Sequence, residues 1–247
     1  MRERERGVSE VVSFVIVFSL IILAVGTTYV AGLSGIQDAR ENEQVTNAQR
    51  AFDVLADNVD DLVDSGAPSR ATSLKLTEAS IGYGDPVTVN LTAGPDANVS
   101  YETRPLVYRA NGGGEIVYVN GAVIRSESGG SVMTNPPEVL FGDRTLATLI
   151  VAQPNGRQSV GGSTQVLVRT TRTNRTVTTY DTGGSVTMNV TTPRPTAWRN
   201  AIESRPETQS CTVTDRDATA PEVTVSCTVE TDSLVVRVVT LDVTLTS

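Results

Sequence analysis

Histidine is absent from the 247 residues, and lysine occurs once, at Lys75. Without His, no Ser-His-Asp triad, Cys-His dyad or His-containing zinc site can be built. Two cysteines, Cys211 and Cys227, cannot supply a four-Cys metal site. Aromatic residues make up 4% of the chain, which leaves few platforms for stacking sugars or bases. Basic residues are outnumbered 20 to 28, giving a net charge of −8 that repels nucleic-acid phosphates. No enzyme chemistry, cofactor, metal or nucleic-acid partner is therefore expected. With Lys75 set aside, 19 of the 20 bases are Arg (20 − 1). Acidic, Lys-poor surfaces suit salt-loving organisms, because short carboxylates hold water under strong screening while a Lys stem adds apolar surface. Drift in a GC-rich genome gives the same Arg bias; the acidic balance favours the first reading.

Charge is also missing from Val11 to Gln37, whose densest apolar part is Val11 to Val25. The run is long enough to cross a bilayer of about 30 Å and lacks the polar face of a water-soluble helix. Arg2, Arg4 and Arg6 precede it; Asp38, Glu41 and Glu43 follow, with only Arg40 for balance. The positive-inside bias puts the N-terminus in the cytoplasm and everything after residue 38 outside, a single-pass arrangement in the cell membrane. Conventional signal removal wants small residues one and three before the cut. Ala31 is preceded two back by Tyr29, and Gly32 by Val30, so that route is poorly supported.

Upstream of the run, Arg6-Gly7 is followed by Val8-Ser9-Glu10. This pattern resembles the class III signal peptides of archaeal type IV pilin-like proteins, particularly the VSPVI start of haloarchaeal pilins. The resemblance implies that a prepilin-type peptidase cuts between Gly7 and Val8 and that the hydrophobic helix stays on the mature protein. Glu10 departs from the pattern: it stands where those proteins have Pro, and it is the third mature residue, not the fifth. Two roles stay open for it. It contacts a neighbouring pilin-like subunit, or it simply complements the free N–H groups at a helix N-terminus. The wider layout, with this leader, an RAFDVLADN helix and a β-rich domain ending in a Cys pair, resembles an uncharacterised haloarchaeal pilin-like membrane family.

Proline is missing from residues 8–65, so one helix of up to about 85 Å is allowed, with Gly26, Gly32 and Gly35 as places to bend. The division expected is a charged leader (1–7), a transmembrane helix (8–35), an extracellular helical stalk (36–66) and an extracellular β-rich domain (70–247). Along the stalk, Val45, Ala48, Phe52, Leu55, Val59 and Leu62 form an apolar seam at spacings of three and four. A coiled coil with another copy would bury it; so would a sheet of the same chain. The short seam and the unequal sizes of Ala48 and Phe52 favour the sheet. Asp53, Asp57, Asp60, Asp61 and Asp64 read as a solvated face. Gly66 and Pro68 end the helix.

Residues 70–247 alternate as strands and turns, predicting an antiparallel, sandwich-like β domain and, with the helix, an α+β chain. The predicted strands are SLKLTEASI, PVTVNLTA, EIVYV, AVIRS, EVLFG, TLATLIVA, TQVLVRTT, RTVTTYD, SVTMNVT, CTVTD, EVTVSCTV and LVVRVVTLDVTL. Asn120-Gly121 marks a hairpin; Gly112–Gly114, Gly129-Gly130, Gly161-Gly162 and Gly183-Gly184 read as turns or loops. PTAWRNAIES reads as a helix with Trp198 and Ile202 on one face, Trp198 as a core plug. Cys211 and Cys227 flank a turn-like DRDATAP segment. Pairing about residue 219 sets Cys211 opposite Cys227 and Val213 opposite Val225, a place for a disulfide in an oxidising compartment; two buried thiols are the other reading. N-glycosylation sequons begin at Asn90, Asn98, Asn174 and Asn189, all on the side expected to be external.

These features predict a pilin-like cell-surface structural or interaction protein anchored by its N-terminal helix, with the membrane, the processing peptidase and other pilin-like subunits as partners. A non-polymerising anchored binding or sensor module is the alternative. An anchored hydrolase is disfavoured: the acid pair Asp215 and Asp217 flanks a turn, and aromatics for holding sugar are scarce.

Overall fold

The computed structural model describes residues 3–94, 97–215 and 223–247. Helix α1 (Glu3–Val63) comes first and passes through Gly26, Gly32 and Gly35 without a break in the helical assignment. The chain divides into two units, residues 1–43 and residues 44–247. In the first, Val11–Leu33 forms a 23-residue apolar span with none of its surface buried.

In the second unit the C-terminal part of α1 leads into a β-rich domain. Its strands are β1 (Ser69–Lys75), β2 (Ala79–Tyr83), β3 (Val87–Ala93), β4 (Ala97–Thr103), β5 (Leu106–Ala110) and β6 (Glu115–Val119). Next come β7 (Ala122–Glu127), β8 (Gly130–Asn135), β9 (Val139–Leu140), β10 (Arg144–Pro154), β11 (Ser159–Gly162) and β12 (Gln165–Thr192). Helix α2 (Pro195–Glu203), β13 (Thr208–Asp215) and β14 (Val223–Thr246) complete the described elements.

One sheet has the order β11-β2-β5-β6-β7-β8. The other is built on β12 and β14, two long antiparallel strands paired from Leu167↔Thr246 to Thr192↔Val223. β1 and β3 pair with opposite ends of β12, and β4 pairs with β3. β13 pairs with the first part of β14, and β10 runs parallel to its second part. The sheets are mostly antiparallel, as expected; among the described pairings β10–β14 alone is parallel. Residues 155–222 lie between these strands in the sequence, long enough for the crossover a parallel pair requires. Gly183 and Gly184 do not end a strand as their sequence suggested. They sit at φ +69° and +106° inside β12, where the register shifts between Asp181 and Gly184: a β-bulge that only residues free of a Cβ enter without strain.

Two cores result. In one, Val45, Ala48, Phe52, Leu55, Ala56, Val59 and Leu62 of α1 are buried with Ile81, Leu106, Tyr108, Ile116 and Tyr118 of the six-stranded sheet. Leu241, Val243 and Leu245 of β14 join the same cluster. The seam thus packs on its own chain, as its irregular side-chain sizes suggested, and burying Phe52 or Leu55 contributes roughly 1.5–3 kcal/mol each. In the second core, Val107, Val117 and Ile124 from the other face of that sheet meet Val89, Leu91, Met188, Val225, Leu234 and Val236. Trp198 and Ile202 of α2 plug this core, with Trp198 1% exposed. The alternating strands of the six-stranded sheet therefore bury both faces. β10 and β14 take part on both sides. Ala147 and Leu149 face the second core with Val236 and Val238, while Ile150 faces the first with Val239.

Asn120-Gly121 makes the expected hairpin between β6 and β7, at φ +51° and +82°. Asn120 is also buried, and its Oδ1 accepts the Ile150 N–H at 2.7 Å, tying this turn to β10.

Candidate functional site: an exposed apolar helix and a carboxylate cleft

Arg6, Gly7, Val8 and Glu10 lie on the helical backbone of α1, which begins at Glu3, and their side chains fall outside the described residues. From Val11 onward the side chains are described and stand exposed: Phe14, Leu20, Leu23 and Tyr29 are 61–70% exposed. A water-soluble helix would not leave so continuous an apolar surface bare. Thr27 and Thr28, two of the hydroxyl side chains in the run, donate back to the carbonyls of Leu23 and Ala24 at 2.9 and 2.8 Å. Their hydroxyls are thereby satisfied within the helix.

The β domain grips the other part of α1 with polar contacts as well as the apolar seam. Asn58 Nδ2 donates to Thr72 Oγ1 at 2.9 Å, and Arg70 pairs with Asp61 at 3.2 Å. Arg172, on β12, donates to the carbonyls of Leu62 at 2.7 Å and Gly66 at 3.2 Å. These carbonyls belong to the last turn of α1 and the loop beyond it, where a cation is favoured. Gly66 is at φ +76°, closing the helix as the sequence indicated.

The Asp-rich face is not uniformly solvated, which corrects the sequence expectation. Asp60, Asp64 and Glu138 line a cleft of about 350 Å³ with Pro136, Pro137, Thr148 and Arg237. Arg237, on β14, pairs with Asp64 at 2.6 Å and with Glu138 at 2.8 Å, and also donates to Thr148 Oγ1. Burial, then the charges of Glu138, Asp64 and Asp57, push the Asp60 carboxyl up to about 7, against the opposing pull of Arg237. Burial and Asp64 also raise Glu138. Tyr118 is buried nearby, and burial together with Asp60 and Glu138 holds its phenol well above the usual range. One guanidinium thus pairs with two carboxylates beside a third, Asp60. Among the described residues no group of three or more His, Cys, Asp and Glu side chains is placed to hold a metal ion.

Cys211 and Cys227 are directly opposed in β13 and β14 and form a disulfide, with Cα atoms 4.2 Å apart. Val213 faces Val225 as expected. The turn that joins the strands, residues 216–222, with Asp217, lies outside the described residues, as does the Asp215 side chain.

The four sequons separate into two settings. Asn90, Asn98 and Asn189 form one ladder across β3, β4 and β12. Asn90 Nδ2 donates to Asn98 Oδ1 at 2.8 Å, and Asn189 Nδ2 to Asn90 Oδ1 at 3.3 Å. Asn174 stands apart on an exposed stretch of β12. Neither the Asp60 cleft nor this ladder was visible in the sequence. Glu138 and Arg237 lie 78 and 177 positions from Asp60, and Asn189 lies 99 from Asn90, so no local signal marks either group.

Taken together, the molecule is an α+β protein in which an exposed apolar N-terminal helix leads into a two-sheet, disulfide-bearing β domain braced on that helix's continuation. It belongs to a family of unknown function (DUF7289), whose model matches residues 6–244. No curated protein matches the chain, and no solved structure does.

Proposed function

We propose that this is a pilin-like, non-enzymatic cell-surface structural or interaction protein, anchored in the cell membrane by α1 with its N-terminus cytoplasmic and its β domain external. The observation that carries the reading is the bare Val11–Leu33 span directly continuous with a helix segment that braces a sheet. The Arg6-Gly7-Val8 junction, the arginines before the span and the acids after it support processing by a prepilin-type peptidase and the stated orientation. A disulfide in the β domain fits an oxidising exterior. The acidic, Lys-poor composition supports an archaeal, salt-adapted source. As a minor filament subunit it would contact neighbours through the span and Glu10.

A second reading, an anchored binding or sensor module that never polymerises, is favoured by one observation. The Val45–Leu62 seam is buried within the chain, so that apolar face is not open to a neighbour.

N-terminal sequencing of the protein extracted from its native membranes tests the proposal, with Val8 as the expected first residue. An intact residue 1 or 2 reduces the protein to an uncut signal anchor. A start near Leu33 means conventional signal removal and ends the pilin-like reading. Recovery in sheared filaments, or its failure, separates the subunit from the solitary module.

A further inference from the structure

We propose that Asn174 is the glycan acceptor among the four sequons, and that the sugar caps an open strand edge. The inference rests on the external placement of the β domain given above.

β1 covers the outer edge of β12 only as far as Thr171, and β3 resumes pairing at Thr187. Between these points β14 lies on one side of β12, and no strand lies on the other among the described residues. Residues 173–179, TNRTVTT, are exposed throughout, and Val177 is 56% exposed although apolar. The register passes from Arg172↔Leu241 to Asn174↔Thr240, so Asn174 stands at a bulge that swings the backbone out of the regular ladder. Asn174 Oδ1 accepts the N–H of Arg175 at 2.8 Å. Its Nδ2 is in no hydrogen bond among the described residues and is free to react.

Asn90 and Asn189 are placed differently. Asn90 and Asn189 are half-buried on strands paired along both edges, and each uses its Nδ2 within the amide ladder. Thr92, the hydroxyl residue of the Asn90 sequon, donates to Asn90 Oδ1 at 3.0 Å and closes the ladder further. Asn98 is exposed on the end strand β4, but its Oδ1 is held by the Asn90 amide and it lies opposite Thr92 in a regular antiparallel pair with no bulge. A sugar on Asn90 or Asn189 would have to displace a neighbouring strand's side chain.

The chemistry is substitution at an anomeric carbon. The donor is an oligosaccharide linked through phosphate to a polyprenyl lipid. Asn174 Nδ2 forms the new C–N bond, the anomeric C–O bond to phosphate breaks, and the lipid phosphate leaves with the electron pair. One amide proton is lost to the transferring enzyme's base. Capping this edge has a physical use. A Thr-rich edge with Arg175 as its one charge and no Pro is open to strand addition, and a bulky hydrated substituent blocks a second strand from approaching.

The test is glycopeptide mass spectrometry on protein from its native membranes, combined with labelling of V177C in intact cells by a membrane-impermeant maleimide. Cys211 and Cys227 are bonded to each other, so the introduced thiol is the one that reports. Expected are a sugar mass on the Asn174 peptide, its complete loss in N174Q and in T176A, and its retention in N90Q and N189Q. T176A leaves Asn174 in place and so separates sequon recognition from any effect of changing Asn174 itself. Labelled cells with a bare Asn174, or with sugar on Asn90, Asn98 or Asn189, overturn the proposal while the external placement stands. Failure to label residue 177 in intact cells that also carry N174Q, where no sugar can shield it, overturns both.

Discussion

Arg172 reaches the carbonyl oxygen of Leu62 at 2.7 Å, joining residues 110 positions apart. Its guanidinium closes the end of α1 from a strand that the rest of the domain holds in place. Replacing it by Ala strands the Leu62 and Gly66 carbonyls at the end of the helix dipole. A loss of about 1–2 kcal/mol is expected, seen as a lower melting temperature of the detergent-solubilised protein. Arg172→Lys, with one donor group and no fork, should recover only part of that loss. Equal stability of the wild type and Arg172→Ala would remove the cap from the account.

Phe52 is 2% exposed in the core shared by helix and sheet. Phe52→Ala should cost about 3–5 kcal/mol, and Phe52→Asp should unfold the β domain. Near-ultraviolet circular dichroism and limited proteolysis read the outcome. A Phe52→Asp protein that keeps its fold and loses only self-association would place the seam between copies instead.

Asp60 gives stability a specific pH dependence. Its folded-state carboxyl sits at about 7, above the ordinary 3.8. Between those values the folded protein holds a proton that the unfolded chain releases, so stability falls as pH rises from about 4 to about 7. Asp60→Asn removes this dependence and should melt at a higher temperature than the wild type at pH 8. The gap should narrow as pH is lowered from 8 towards 5. A gap that does not change with pH would show that Asp60 titrates in the ordinary range.

The Cys211–Cys227 bridge closes a loop of sequence separation 16, for which about 3 kcal/mol is expected. Non-reducing peptide mapping should recover the linked pair with no alkylatable thiol. Replacing both by Ser should lower the urea midpoint accordingly. Both thiols alkylated without reductant would refute the bond.

Legibility in the sequence followed the range of the interactions. The seam from Val45 to Leu62, the Asn120-Gly121 hairpin and the Cys211 register were readable because each is a local periodicity or a turn of defined geometry. Residues 183 and 184 misled because Gly-Gly marks a turn and a bulge equally well, and only the partner strand decides which. The strand Ala97–Thr103 passed unnoticed because prolines at 95 and 105 punctuate the sequence on either side and it carries few apolar residues. Asp60 looked like one more surface acid. What sets it apart is Glu138 and Arg237, supplied by distant segments whose placement depends on the whole sheet. The parallel partnership of β10 and β14 has the same origin, since strand direction is a property of connections and leaves no trace in either strand's own residues.

Ala147 to Ile150 and Val236 to Val239 face one core on one side and the second core on the other. Neither core can therefore melt while its neighbour stays intact. Heat or denaturant should meet a single cooperative transition in the β domain, and amide protons on β10 and β14 should exchange only through its global opening. Cutting the domain between its cores would leave each fragment with a wall of unpaired strand, so there is no smaller folding unit to isolate within it.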